Sequence, residues 1–206
     1  PVTIQVTYTE ADAVTLADGD VTLTRTGTAD GVVAVSGTGT ALRTVTISSI
    51  VGDGTLSISL AANTATDTAG NQAVGAGPST TFAVDNTAPA APVGLDLATA
   101  DDTGALDTDE VTKQTTGLTI TGTAETASTV QLYAGETLLA SGSAAEFADP
   151  GLDVSLTAGV NSITALSTDA AGNVSEASAA LQITVDTTAP TVALGAPSSA
   201  LTGPGP

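Results

Sequence analysis

The chain contains no cysteine, no histidine and no tryptophan among its 206 residues. Without thiols or imidazoles, disulfides, thiolate–zinc sites and both Ser-His-Asp and Cys-His catalysis are excluded. Basic residues are almost as scarce. Arg25, Arg43 and Lys113 stand against 22 acidic residues, for a net charge of −19. That balance opposes nucleic-acid binding, which needs a basic footprint, and opposes docking on anionic lipid. Aromatic rings number four (Tyr8, Phe82, Tyr133 and Phe147). A two-carboxylate glycosidase or a sugar-binding module needs a cleft lined by rings, and so few rings argue against both. No apolar run approaches the ~20 residues of a membrane span, so no direct membrane insertion is expected, and no signal peptide is visible. The expectation is a protein that is not an enzyme.

What the chain does have is oxygen. Carboxylates, Asn side chains and backbone carbonyls are the ligands left to it, and such hard donors suit Ca²⁺. The acidic residues also recur. TDTAGN at Thr66 to Asn71 returns as TDAAGN at Thr168 to Asn173, and VDNTAP at Val84 to Pro89 returns as VDTTAP at Val185 to Pro190. Each pair is separated by roughly a hundred positions, the size of a small domain, and a period of that length sets the architecture.

Within each unit the pattern is that of strands. Val2, Ile4, Val6 and Tyr8 alternate with Thr3, Gln5 and Thr7, leaving one face buried and one wet. Further short apolar runs follow at Val21/Leu23, Val33/Val35, Val45/Ile47, Leu56–Leu60 and Phe82/Val84, separated by ADG, GTG and GDG turns. The second unit offers Leu95/Leu97, Leu118/Ile120, Val130/Leu132, Leu138/Leu139, Val154/Leu156, Ile163/Ala165 and Leu181–Val185. A long polar loop, ADDTGALDTDEVTKQTTG, follows the first of these. The fold class expected is all-β: two tandem immunoglobulin-like β-sandwich domains over residues 1–88 and 89–190. Residues 191–206 read as the first strand of a following repeat, or as a strand donated in trans to another copy. The first unit shows no such strand before Val2, as if a longer array were cut between its first two strands. Arg25 and Arg43 are expected on strand surfaces, and Tyr8 and Phe82 in a core built mainly of Val, Ile, Leu and Ala.

If the strands run alternately up and down, three distant segments meet where one unit enters the next. Those segments bring Asp85 from the linker, Glu125 from the turn TAETAS, and Asp169 with Asn173 from the loop DAAGN. Three uncompensated carboxylates repel one another, and a divalent cation converts that repulsion into a clamp. The first unit repeats the set with Glu10, Asp67 and Asn71, flanked by Asp12 and Asp20, and Asp186 is the linker residue that would serve a following unit. Asp102 and Asp109, with Asp101 and Asp107 beside them, form a second candidate at the far end of the second unit; the EF-hand spacing is missing there. The competing account is that Asp and Asn in these loops only make turns through side-chain hydrogen bonds. The triplet Asn173-Val174-Ser175 spells a glycosylation sequon of the kind that arises by chance.

The stretches VTYTEADAV, RTVTISSIVGDGTLSISLA, TDTAGN with VDNTAP, ADDTG with TDEVT, LTITGTAE, TDAAGNVSEAS and VDTTAP resemble the bacterial Ig-like domains of giant repetitive surface proteins and adhesins. The resemblance covers nearly the whole chain, and the two units resemble two subfamilies that alternate in tandem. It implies secreted, extracellular extender modules on a bacterial cell surface, exported by type I secretion. It also implies calcium at the junctions between domains. In the DTG loop it matches Asp102 and Asp109 to ligand positions, and Leu106 departs from the Ser common there. The function expected is a spacer for cell adhesion, stiffened by Ca²⁺, whose partners are neighbouring repeats of its own chain. The alternative is a self-assembling filament, surface layer or biofilm matrix in which copies exchange strands.

Overall fold

The computed structural model describes residues 1–195. Strand is the dominant element because Thr, Val and Ile, stiff at the first side-chain torsion, fill the regular stretches. In the first unit β1 (Val2–Thr7), β4 (Asp30–Ser36) and β5 (Leu42–Val51) form an antiparallel sheet in the order β1-β5-β4. A second antiparallel sheet orders β3 (Val21–Arg25), β6 (Gly54–Leu60) and β8 (Phe82–Val84) as β3-β6-β8. The side-chain period of two puts Val45 and Ile47 of β5, Leu56 and Ile58 of β6 and Val84 of β8 into one buried cluster between the sheets. Tyr8 and Phe82 pack against that cluster, half-buried.

Two strands had no sequence signature. β2 (Ala13–Val14) and β7 (Ala65–Thr66) pair with each other, and two residues are too few to show alternation. Arg43 corrects the surface assignment made for it. It is only 8% exposed, and its guanidinium donates to the carbonyls of Gly39, Leu42 and Val14 at 2.8–3.0 Å. The planar fork suits several carbonyls at once, so among the described residues the charge is buried without a carboxylate partner. Arg25 does lie on the surface, paired to Asp30 at 2.9 Å. Arg43→Leu strips three carbonyls of their donor and is expected to destabilise the first unit by about 1–3 kcal/mol in urea unfolding.

The second unit has its own core. β9 (Val93–Leu97), β11 (Leu118–Thr123) and β14 (Leu152–Val154) form one sheet in the order β14-β11-β9. The facing sheet runs β10-β16-β15-β12-β13, from β10 (Val111–Thr112), β12 (Thr129–Ala134), β13 (Thr137–Ser143), β15 (Gly159–Thr168) and β16 (Leu181–Val185). Inward residues of both sheets, among them Leu118, Ile120, Val130, Leu132, Ile163 and Ile183, are fully buried. β10 lies inside the stretch read as polar loop and pairs in parallel with β16. A helical turn, α1 (Ala144–Ala148), also escaped the strand reading. Its signal was present: Ser143 accepts from the Glu146 N–H, and Glu146 accepts from the Ser143 N–H, a capping box spelled S-A-A-E. The helix delivers Phe147 to the centre of the core, where it is fully buried. Gly122 makes room for it: a Cβ there would stand 2.4 Å from the Phe147 ring.

Thr191 to Gly195 carry no strand. The rest of the strand expected for a following repeat lies outside the described residues.

Candidate functional site

The junction between the units is built from turns that spend their carboxylates on backbone. Asp169 opens the loop after β15. It accepts from the N–H groups of Ala171 and Asn173 and from the Asn173 side chain, all at 2.9 Å. These donors, the Asn173 carboxamide first among them, hold its carboxyl below the ordinary aspartate range. The Asn173 amide then reaches across to the linker, donating to the Asp85 carbonyl at 3.1 Å. Glu125, from the turn after β11, accepts from the Ala90 N–H at 3.1 Å. Loop, turn and linker thus come together: Asp85, Asp169 and Asn173 share one contact, and Glu125 grips the chain five residues past Asp85.

The linker is also held from the first unit. Asp53, in the GDG turn before β6, accepts from the Asn86 N–H at 2.7 Å and the Thr87 hydroxyl at 2.7 Å, and these bonds lower its pKa. Asn86 donates to the Gly52 carbonyl at 2.7 Å. Sequence reasoning treated GDG as turn chemistry only. The missed signal was an acid between two glycines. A Cβ at Gly52 or Gly54 would stand 2.1 Å from a carbonyl oxygen of Thr28 or Thr26, so the turn closes tightly and leaves the Asp53 side chain aimed at the linker. Asp85 itself accepts from the Thr87 N–H at 3.1 Å, and Asp186 accepts from the Thr188 N–H at 2.8 Å. Both linkers therefore carry the same Asp-x-Thr turn.

The first unit repeats the loop. Asp67 accepts from the Asn71 N–H and side chain at 2.8 Å, which lowers its pKa in the same way. Glu10, Asp67 and Asn71 line one cleft of about 170 Å³ together with Tyr8 and Gln72. Asp12 accepts from the Thr68 hydroxyl. Asp20 closes a 3₁₀ turn on the Ala17 N–H at 3.0 Å.

At the DDTG loop, Asp102 is 8% exposed; its Oδ2 accepts from the Glu110 N–H at 3.0 Å, and its buried Oδ1 finds no hydrogen-bond partner among the described residues. Asp109 accepts from Leu106 and Val111, and Asp101 accepts from Thr119. Glu110, which the sequence did not single out, accepts from the Leu97 N–H at 3.2 Å. Its pKa is pushed up to about 7 by burial first, then by the charges of Asp96 and Asp102; the Leu97 bond opposes this. A raised acid binds its proton more tightly when folded. Without divalent ions, stability of the second unit should therefore fall as pH climbs from about 4.5 to about 7. Glu110→Gln should flatten that slope in thermal melts taken across this window.

The donors at these places are oxygens, as a hard cation requires, and the orphaned oxygen of Asp102 fits such a ligand. Among the described residues no group of three or more acidic side chains is arranged to hold a metal ion. There is likewise no helix long and apolar enough to cross a membrane among them. No curated protein matches the chain. A sequence model described as "Bacterial Ig-like domain" matches residues 88–187, the stretch from the linker through β16. The two facing sheets and shared core over residues 88–187 are consistent with that match to a bacterial Ig-like domain.

Proposed function

We propose that this chain is a spacer from a repetitive extracellular surface protein of the adhesin kind, and that calcium stiffens the joints between its units. A non-enzymatic role accords with the domain family and with the missing histidine and cysteine. The observation that carries the reading is the bond from the Asn173 carboxamide to the Asp85 carbonyl. It ties a loop of one unit to the linker leaving the other, with the Asp169 carboxylate on the same amide. Asp85, Asp169, Asn173 and Glu125 would hold the ion at this joint; Glu10, Asp67 and Asn71 would hold its counterpart with a linker residue equivalent to Asp186. Asp102 and Asp109 would serve a second kind of site in the second unit. Bound calcium supplies a double positive charge that offsets part of the −19.

The residues need only be ordered together for linkage to follow. An ion that binds the ordered joint and not the loose one stabilises it by RT ln(1 + [L]/Kd). At an extracellular concentration on the order of 10⁻³ M weak sites fill, and in a calcium-depleted cytosol they empty. The chain would then be pliable during export and stiff outside. Small-angle scattering and thermal melting with calcium and with EDTA test this. Chelation is expected to lower the melting temperature and shorten the mean end-to-end length; no change in either contradicts the reading.

A further inference from the structure

The two linker motifs differ at one position: VDNTAP carries Asn86 where VDTTAP carries Thr187. Asn86 is also the residue that ties the first linker to the first unit. Its N–H donates to one oxygen of the Asp53 carboxylate and its side chain to the Gly52 carbonyl, both at 2.7 Å. The Thr87 hydroxyl adds a third bond of 2.7 Å, to the other oxygen of Asp53. Thr187 has no carboxamide with which to copy the bond to Gly52. The second linker is anchored elsewhere, through the Asp186 N–H on the Thr112 carbonyl of β10 at 2.8 Å.

Asp53 is a fixed point for the chain to meet. Its N–H donates to the Thr28 hydroxyl at 3.0 Å, and its carbonyl accepts from the Thr28 N–H at 2.8 Å. Val84, the last residue of β8, pairs with Gly54, so Asp53 stands where the chain leaves the sheet. The grip from the second unit is different. It consists of the Asn173 amide on the Asp85 carbonyl and the Ala90 N–H on Glu125, each at 3.1 Å. Asn173 and Glu125 belong to the set that would bind calcium; Asp53, Asn86 and Thr87 do not. Between Thr87 and Ala90 lie Ala88 and Pro89, and a proline confines the residue before it to extended backbone.

We propose that Asp53 is a metal-independent latch. It makes the linker through Thr87 a rigid extension of the first unit, so the joint bends beyond Thr87 and calcium acts on the second unit's side alone. The latch stands without the ion; the division of labour rests on the calcium reading above. Chelation then lets the second unit swing about a fixed arm instead of releasing the linker from both units.

Amide hydrogen exchange followed by NMR on the full chain, in calcium and in EDTA, reads both grips at named atoms. The Asn86 amide is expected to exchange equally slowly in both. The Ala90 amide should be slow in calcium and faster in EDTA. Asp53→Ala should speed the Asn86 amide about tenfold or more in either condition, as the loss of a bond to a carboxylate implies. The Thr28 amide, bonded to the backbone carbonyl of residue 53, reports whether the turn itself survives. Thr87→Val, at an exposed position, should produce a smaller acceleration with the first unit intact, even where Asp53→Ala disturbs folding. An Asn86 amide that quickens in EDTA together with Ala90 overturns the latch. So does one indifferent to both substitutions. An Ala90 amide indifferent to calcium beside a slow Asn86 amide defeats the calcium reading and leaves the latch standing.

Discussion

Phe147→Ala lowers the stability of the second unit by about 3–5 kcal/mol, the usual cost of deleting a buried aromatic ring. The ring is fully buried, and Gly122 leaves a gap shaped for it. Truncation removes the ring's burial and leaves a cavity that the strands on either side, held by their ladders, cannot close. For a unit of this size the loss is roughly 4–8 °C of melting temperature per kcal/mol. The two core clusters share no member, so the transition of the first unit should stay in place. Calorimetry that shows both transitions sliding down together would mean the units melt as one body.

Asp169→Ala is expected to abolish the calcium response of the joint. At a hundredfold excess of calcium over its dissociation constant the wild-type joint gains about 2.7 kcal/mol, and the variant should gain almost none of it. The carboxylate organises its own loop, and it shares the Asn173 amide with Asp85 across the linker. Removing it takes away a ligand and the scaffold of another. The same bonds carry a pH signature. The folded-state pKa lies below the ordinary value, so their contribution is present above pH 3.8 and is lost as acid is added through the folded-state value. A variant that keeps the full calcium shift would mean that ions act elsewhere on the chain.

Much of this molecule could be read from period and punctuation. Alternation located β1, β5, β11 and β15 because each buries one face along most of its length. β2, β7 and β10 stayed hidden because two-residue strands owe their existence to partners far along the chain. Arg43 was misplaced because a charge says nothing of the three carbonyls that surround it in the fold. At the joint, the repeated AGN and VD-TAP motifs pointed to Asp85, Asp169 and Asn173, and these meet. What the motifs did not reveal is which atoms face one another. Asp85 offers its backbone carbonyl to Asn173 and turns its carboxylate on Thr87. Asp53 and Glu110 went unnoticed, since each owes its role to segments brought to it by folding.

The most direct test is a density map of the chain determined in millimolar calcium. An ion at the joint, bridging oxygens of Asp85, Asp169 and Asn173, is the expected result. An unchanged Asn173 amide still donating to Asp85 and Asp169, with no ion beside it, would contradict the account.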